Sequence, residues 1–191
     1  MLTVLVIDES KARAGEICAG LALAGYQVAA ILAGADNLTA EVERLQPDVI
    51  LIDTDSPSRD TLENLAAMNK DMPRPVVIFT QEDGQETIRD AVKAGVSAYI
   101  VDGLDPKRIK PIVEVARARF EDTQALRREL DEISQKLSDR KLVDKAKGVL
   151  MKARGLDEDA AYHAMRKLAM ERGQSMAKVA RDVIDMARVL L

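Results

Sequence analysis

The segment LTVLVID, from Leu2 to Asp8, is the first of five short apolar runs in a chain of 191 residues. Each run is rich in Val, Ile and Leu, and a stretch with helical spacing separates it from the next. The runs are Leu2–Asp8, Tyr26–Leu32, Asp48–Asp53, Pro75–Thr80 and Ala98–Asp102. Strands this apolar are typical of a parallel sheet that is covered by helices on both faces. The pattern therefore predicts an α/β fold with a doubly wound, five-stranded parallel sheet.

The stretches between the runs predict the helices that cover this sheet. They are Lys11–Ala24, Asn37–Leu45, Arg59–Asn69 and Gln85–Ala94, followed by a long helix from Pro106. Gly25 and Gly95 follow two of these helices, in the position where glycine commonly ends a helix. In a doubly wound sheet of order 2-1-3-4-5 the third strand lies beside the first.

Composition indicates an ordinary globular protein, with 47% apolar and 31% charged residues. The N-terminus lacks the basic start of a signal peptide, and no apolar run approaches the ~20 residues of a membrane helix. A single cysteine, Cys18, excludes a disulfide framework and favours a reducing compartment. We therefore expect a cytoplasmic protein with no membrane partner.

Charge is distributed unevenly along the chain, whose net charge is −4. Residues 141–191 hold 11 basic and 7 acidic side chains, a net of +4, and residues 1–140 carry a net of −8. A basic end on an acidic body suggests a nucleic-acid-binding segment, although a merely solvated surface is the simpler alternative.

Three carboxylates follow predicted strands that are neighbours in this sheet. Asp8 and Glu9 end the first strand, and Asp53 ends the third. Carboxylates gathered at one edge repel each other unless a cation joins them, and their hard oxygen ligands suit Mg²⁺. Thr80 ends the fourth strand, so its hydroxyl can bond a group held on Asp53. Any one of these acids alone is equally explained as a solvated strand end.

The same residues resemble the receiver domain of bacterial response regulators over about the first 118 positions. The motifs are VLVIDES, DVILIDTDSP with its D-x-x-x-P loop ending at Pro57, and VVIFT. The resemblance implies a flavodoxin-like fold in which Asp53 accepts a phosphoryl group, and a histidine kinase or another sensor protein as partner. It also implies the remaining roles: Mg²⁺ held by Asp8, Glu9 and Asp53, the phosphoryl oxygen bonded by Thr80, and a rotamer change at Tyr99.

One position departs from the receiver pattern. Where the family usually has Lys-Pro after the fifth strand, this chain has Asp102 and Gly103. An acid there adds like charge where an anion must be stabilised. Control by a binding partner, with the receiver as a docking module, is therefore an alternative to control by phosphorylation.

The segment 119–140 has the spacing of a coiled coil. Apolar residues recur at Leu126, Leu130, Ile133 and Leu137, with charged residues between them. This narrow stripe predicts a homodimer. A single helix lying along its own domain is the alternative, and it would usually show a broader apolar stripe.

The stretch KLVDKAKGVLMKARG, from Lys141 to Gly155, predicts a helix with three kinds of face. Helical spacing groups a face to be buried: Leu142, Ala146, Val149, Leu150 and Ala153. Basic residues flank it: Lys141, Lys145 and Lys152 on one side, and Lys147 and Arg154 on the other. Asp144, Gly148 and Met151 remain on the outside. A glycine within a helix costs about 1 kcal/mol relative to alanine, which suggests that another molecule approaches closely at Gly148.

Two further helices complete a small module at residues 141–191. Asp157 and Ser175 are placed to cap them, and Gly155 and Gly173 to end the helices before them. Tyr162, His163 and Arg166 point away from the predicted core, a combination that suits stacking on an unpaired base. Each of these residues alone is more often an ordinary surface residue.

KAKGVLMKARGLDEDAAYHAMRKLA resembles the ANTAR domain, the RNA-binding module of bacterial transcription antiterminators. The strongest part is the A-K-G-x-L-M core from Ala146 to Met151, and the resemblance extends roughly from Leu126 to the C-terminus. With the receiver and the coiled coil, the chain looks like the regulators of amidase and nitrate-assimilation operons. The departure at Asp102 favours the nitrate-assimilation branch, in which a nitrate-sensing partner controls the regulator.

The sequence thus predicts a receiver at 1–118, a connector at 119–140 and an RNA-binding module at 141–191. The resemblance implies that a dimer binds paired stem-loops in leader RNA and prevents terminator formation. The predicted RNA contacts are Lys145, Lys147, Gly148, Met151, Lys152, Arg154, Tyr162 and Arg166. A DNA-binding response regulator is the first alternative. A Mg²⁺-dependent aspartyl phosphatase is a remote one, suggested by the sequence from Asp53 to Ser56; we otherwise expect no enzymatic activity.

Overall fold

The computed structural model describes residues 1–8, 10–101 and 103–190, and it leaves the side chains at 11, 12, 14, 189 and 190 undescribed. Two predicted site residues, Glu9 and Asp102, therefore lie outside the described residues. The chain divides into two compact units, Met1–Gln124 and Ala125–Leu191.

The first unit contains the predicted parallel sheet. Its strands are β1 (Thr3–Asp8), β2 (Gln27–Leu32), β3 (Val49–Asp53), β4 (Val76–Thr80) and β5 (Ala98–Val101). They pair in parallel in the order β2-β1-β3-β4-β5. Every residue of β3 and β4 is buried, whereas β2 and β5, at the sheet edges, are only partly covered. The predicted fold class is confirmed.

Helices cover the sheet on both sides, as the apolar strands require. They are α1 (Lys11–Leu23), α2 (Leu38–Leu45), α3 (Arg59–Asp71), α4 (Gln85–Lys93) and α5 (Ile109–Arg154), the last preceded by a 3₁₀ turn at Pro106–Arg108. The core on one side includes Leu38, Val42, Leu65, Met68 and Ala91 from α2, α3 and α4. The core on the other includes Ile17 and Leu21 of α1, and Ile109, Val113 and Ala116 from the start of α5.

The second unit is a small helical module made by the end of α5 with α6 (Glu158–Arg172) and α7 (Met176–Leu190). Both predicted caps form, since Asp157 Oδ1 accepts from the Ala160 N–H at 2.7 Å and Ser175 Oγ from the Lys178 N–H at 3.2 Å. Gly155 and Gly173 adopt the positive φ values, 64° and 60°, that favour glycine after a helix.

The core of this module shows where the predicted buried face of α5 is correct. Ala146 is fully buried, and Leu142, Val143 and Leu150 pack beside it against a cluster from α6 and α7: Met165, Ala169, Val179, Ala180 and Ile184. The prediction that Ala153 is buried was wrong, because the packing extends no further along α5 than Leu150 and Ala153 is exposed. Among the described helices, none is both long and apolar enough to span a membrane.

Candidate functional site

Asp8 and Asp53 lie side by side at the carboxyl ends of β1 and β3, where the parallel pairing puts them in register. Their side chains are 0% and 9% exposed. Burial and a neighbouring negative charge both disfavour the ionised form of a carboxyl group. The pKa of Asp53 is accordingly raised, mainly by burial, with the charges of Asp8 and Asp55 adding to the effect and Arg13 opposing it.

The carboxylate of Asp8 is only half satisfied. Its Oδ1 accepts from the Ser10 N–H at 2.7 Å, whereas its buried Oδ2 has no hydrogen-bond partner among the described residues. A buried acceptor without a partner is costly unless another group completes it.

The residues present fit Mg²⁺. Mg²⁺ is usually held by one or two carboxylates together with waters, which matches Asp8 and Asp53 with the free Oδ2 of Asp8. The residues that the structure describes contain no group of three His, Cys, Asp or Glu side chains placed to hold a metal, and the third predicted ligand, Glu9, is outside them.

Arg13, on the first turn of α1, extends its guanidinium into this acidic pocket. Nη1 donates to Asp55 Oδ1 at 2.7 Å, Nε lies 3.6 Å from Asp53 Oδ2, and Nη2 lies 3.7 Å from Asp8 Oδ1. The pKa of Arg13 is raised, first by the hydrogen bond to Asp55. The sequence pattern did not indicate a role for this residue. Its position one turn into the helix that follows Asp8 and Glu9 was the available signal, because that turn lies over the carboxyl end of β1.

Thr80 and Tyr99, the two predicted switch residues, are joined through the loop after β4. The Thr80 hydroxyl donates to the Asp55 carbonyl at 2.9 Å and accepts from the Glu82 N–H at 3.1 Å. The Tyr99 hydroxyl donates to the Glu82 carbonyl at 3.0 Å. Burial raises the pKa of Tyr99. Both side chains therefore bond to the backbone of the loops around Asp53, and Glu82 is a connection that the sequence did not reveal.

A second candidate site lies on the outer side of α5 in the helical module. Lys141, Lys145, Lys152 and Arg154 are exposed, and none forms an ion pair within the part of the chain that the structure describes. Apart from its chain neighbours and the backbone of its own helix turns, a Cβ added at Gly148 would meet no described atom within 4 Å, and Met151 is 37% exposed beside it. The predicted basic and open faces thus lie together on the surface of the module.

Lys147 differs from the other predicted contacts because its ammonium group is already paired. Nζ donates to Glu158 Oε1 at 2.6 Å and lies 2.9 Å from Asp144 Oδ1, and the side chain is 14% exposed. These acids raise the pKa of Lys147, with Glu158 contributing most. The first turn of α6 supplies Glu158, so the pairing depends on a contact that the α5 sequence alone could not indicate.

Tyr162 and Arg166 lie one turn apart on α6, and both are exposed. The ring of Tyr162 makes an edge contact with His163, with ring centres 6.0 Å apart. An exposed aromatic face beside a guanidinium is suited to stacking on a base and bonding a phosphate.

Comparison with known proteins matches both units. The model of the response regulator receiver domain matches residues 4–114, and that of the ANTAR domain matches residues 131–184. Transcriptional regulatory protein PdtaR of Mycobacterium tuberculosis (strain ATCC 25618 / H37Rv) is 29% identical over 161 residues, or 84% of this chain and 78% of that protein. The nitrate regulatory protein of Klebsiella oxytoca is 36% identical over 75 residues, 39% of this chain and 19% of that protein.

Among solved structures, a CheY-like response regulator receiver domain protein from Methanospirillum hungatei JF-1 has a TM-score of 0.56 and 22% identity. It covers 64% of this chain and 98% of the other, and it shows the fold alone. Three observations indicate a receiver domain: the match at residues 4–114, the sheet order, and the neighbouring carboxylates of Asp8 and Asp53. The chain belongs to the response regulators that join a receiver domain to an ANTAR domain, the antiterminator family.

Proposed function

We propose that this protein is a cytoplasmic transcription antiterminator that binds paired stem-loops in nascent leader RNA and prevents terminator formation. The observation that carries the proposal is a set of cations on both sides of the outer face of α5: Lys141, Lys145, Lys152 and Arg154. They lie within the ANTAR match, and all are exposed and unpaired among the residues that the structure describes. Such cations supply the phosphate contacts that dominate nucleic-acid affinity. Residues 1–118, 119–140 and 141–191 are the proposed receiver, connector and RNA-binding units.

In this proposal the predicted contacts divide by chemistry. Lys145, Lys152, Arg154 and Arg166 bond phosphates, and Tyr162 stacks on an unpaired loop base. Lys147 reaches RNA only if its pairs with Glu158 and Asp144 open, so we assign it a smaller share of the affinity.

The proposed active form is a homodimer through the middle of α5. Leu126, Leu130, Ile133 and Leu137 are each more than half exposed in the single chain. At 3.6 residues per turn they lie within a band about 60° wide, the narrow seam that a second copy covers in a coiled coil. Two RNA-binding modules held together in this way suit a target made of two stem-loops.

The receiver is the proposed control element. Asp53 would accept the phosphoryl group, and Asp8, Glu9 and Asp53 would hold Mg²⁺. When bound, the ion neutralises the negative charge of the carboxylates and of the phosphoryl oxygens. Thr80 and Tyr99 both form hydrogen bonds with the backbone of Glu82, so a change at the pocket can alter the loop after β4. Since Asp102 replaces the usual lysine, a sensor partner that docks on the receiver is the competing mode of control.

The nitrate-assimilation assignment is a narrower part of the proposal. Its support is the 75-residue similarity to the nitrate regulatory protein of Klebsiella oxytoca, together with the departure at Asp102. A test is whether deletion of the gene abolishes read-through of a nitrate-operon leader in cells while transcription initiation is unchanged.

An RNA mobility-shift assay on the purified chain tests the central proposal. The probes are a leader transcript with two hairpins, the same transcript with one hairpin deleted, and duplex DNA of the same sequence. We expect tight binding only to the two-hairpin RNA. Changing Lys145 and Lys152 to Gln should weaken RNA binding about tenfold or more. The slope of log affinity against log salt concentration should also fall by about 1 to 2, because one or two phosphate contacts are lost.

Lys178→Gln is the matched control, because Lys178 is an exposed lysine of the same unit that pairs with Asp182 at 3.0 Å. Preference for duplex DNA would replace the proposal with a DNA-binding regulator. The assay repeated with acetyl phosphate and Mg²⁺ distinguishes the two modes of control, since an unchanged affinity favours release from a partner. Hydrolysis of a phosphate ester that Asp53→Asn abolishes would support the phosphatase alternative instead.

A further inference from the structure

The guanidinium of Arg13 extends over the acidic pocket, less than 4 Å from the two carboxylates that would hold a metal ion, while 40% of the side chain is exposed. Its strong bond is to Asp55, outside the pocket, whereas its distances to Asp8 and Asp53 are 3.7 and 3.6 Å, longer than hydrogen bonds. The side chain of Asp55 is 80% exposed, so this anchor sits at the solvent edge.

The pocket is left incompletely satisfied by this arrangement. Arg13 Nε and Asp8 Oδ2 are both buried without a hydrogen-bond partner among the described residues. A guanidinium has a rigid fork of donors, and among the described residues only Nη1 of Arg13 reaches an acceptor within hydrogen-bond distance. Arg13 therefore places positive charge near Asp8 and Asp53 without forming hydrogen bonds to them.

We propose that Arg13 is the resident cation of the receiver pocket and competes with Mg²⁺ for Asp8 and Asp53. The inference rests on the proposed Mg²⁺ site. Arg13 lies within 4 Å of one oxygen of each carboxylate, Asp8 Oδ1 and Asp53 Oδ2. A cation this close repels a divalent ion bound to the same two carboxylates, so Mg²⁺ binding requires the guanidinium to withdraw. Asp55, in the loop after β3, determines how readily it withdraws, because it holds the short bond.

The proposal gives the pocket two alternative occupants with different consequences. With Arg13 inside, α1 is tied to the loop after β3 and the carboxylates are neutralised without a metal. With Mg²⁺ inside, Arg13 is released toward solvent, and a phosphoryl group can approach Asp53. Because the sequence has Asp102 where the family usually has lysine, Arg13 is the cation that the proposal assigns to the resting pocket.

Isothermal titration calorimetry of Mg²⁺ into the full chain at pH 7 tests the competition. Arg13→Gln removes the charge and should tighten Mg²⁺ binding at least about tenfold, the size of effect that one neighbouring charge commonly has on ion binding at a carboxylate. Arg13→Lys keeps the charge, so its Mg²⁺ affinity should stay within about threefold of the parent's. Arg59→Gln is the matched control, since Arg59 pairs with Glu63 on α3 and should leave the affinity unchanged.

Thermal unfolding gives an independent readout if Arg13→Gln is less stable. Without Mg²⁺ the variant should melt lower than the parent, and Mg²⁺ should raise its midpoint more than it raises the parent's. Equal or weaker Mg²⁺ binding by Arg13→Gln would overturn the proposal, and so would an affinity of Arg13→Lys equal to that of Arg13→Gln. Absence of Mg²⁺ binding in the parent and in every variant would overturn both the competition and the proposed metal site. The RNA shift assay without Mg²⁺ tests the proposed RNA binding separately.

Discussion

At the scale of single residues, the buried carboxyl group of Asp53 reduces the stability of the receiver domain. Asp53 is buried and lies in register with Asp8, so its ionised form is disfavoured in the folded chain. Arg13 offsets part of this repulsion. Sites that hold reactive groups commonly have this property, since the arrangement that binds a ligand is not the one that best stabilises the empty fold.

Asp53→Asn should stabilise the protein at pH 7 in the absence of Mg²⁺. Because the folded-state pKa of Asp53 is raised, its contribution to stability is present below the unfolded pKa and is lost as pH rises through the folded pKa, so at pH 7 the full cost is incurred. We expect a higher free energy of unfolding than the parent's, measured by urea denaturation at pH 7. Asp83→Asn, in an exposed loop, should show no such gain, and a loss of stability in Asp53→Asn would contradict the prediction.

Tyr26 gives a pH dependence at the alkaline end. Its buried hydroxyl donates to Glu114 Oε1 at 2.9 Å, and its pKa is raised to about 12, first by burial and then by that bond. An unfolded tyrosine loses its proton near pH 10, so stability should fall by about 2 kcal/mol between about pH 10 and 12. Urea unfolding of Tyr26→Phe should lack this part of the decline. Identical pH profiles for the two proteins would be inconsistent with a proton held on Tyr26.

At the scale of elements, α5 has a different environment along each part of its length. Its start packs under the sheet through Ile109 and Val113, its end packs on α6 and α7 around Ala146, and the stretch from Leu126 to Leu137 exposes its apolar side chains. Exposed leucines in a regular seam are usually covered by another chain.

Leu130→Asp combined with Leu137→Asp should therefore convert the proposed dimer into a monomer. Two acids in the seam of each copy oppose those of the partner and leave buried charge unpaired. Sedimentation or light scattering should show the mass fall from about twice 20.9 kDa to 20.9 kDa. Gln135→Asp, on the opposite side of the same stretch, should leave the mass unchanged. A parent protein that is already monomeric at micromolar concentration would contradict the dimer.

Gly148 tests which molecule approaches the outer face of α5. A side chain there has open space among the described atoms, so Gly148→Ala should stabilise the module by about 1 kcal/mol through helix propensity. Gly148→Leu should weaken RNA binding while the dimer stays intact, which gel filtration and the shift assay measure in parallel. Helix geometry puts Gly148 on the same side as the seam from Leu126 to Leu137. Loss of the dimer would therefore assign this face to the second copy and not to RNA.

At the scale of the whole molecule, charge separates the two units. Residues 1–124 hold 13 basic and 21 acidic side chains, a net of −8, and residues 125–191 hold 15 and 11, a net of +4. An acidic unit lowers the attraction of a linked basic unit for a polyanion, and salt screens the effect within about 10 Å at 0.1 M.

The fragment 125–191 should consequently bind the two-hairpin RNA more tightly than the full chain at low salt. We expect the fragment to bind several-fold more tightly than the full chain at about 0.05 M salt. The two affinities should become equal near about 0.3 M salt. Filter binding over a salt series measures this. A difference that persists unchanged at high salt would indicate a specific contact that masks the module, in place of a general electrostatic effect.

Local pattern was enough to predict most of the fold. The period and length of the apolar runs determine the five strands, and the caps at Asp157 and Ser175 and the glycines at 155 and 173 mark the helix ends. Asp8 and Asp53 followed from strand order, because the end of a parallel strand fixes where its last side chain lies. These features depend on residues close together in sequence, or on a topology with few alternatives.

The remaining features of the sites depend on which side chains meet across elements. The sequence by itself determined the strands, the helices, the paired acids and the basic residues that flank the outer face of α5. Only the tertiary structure decided that Arg13 enters the acidic pocket, that Lys147 is paired by Glu158 and that Ala153 is exposed. The physical reason is that periodicity gives the direction of a side chain about its own helix, but not the distance to a partner on another element.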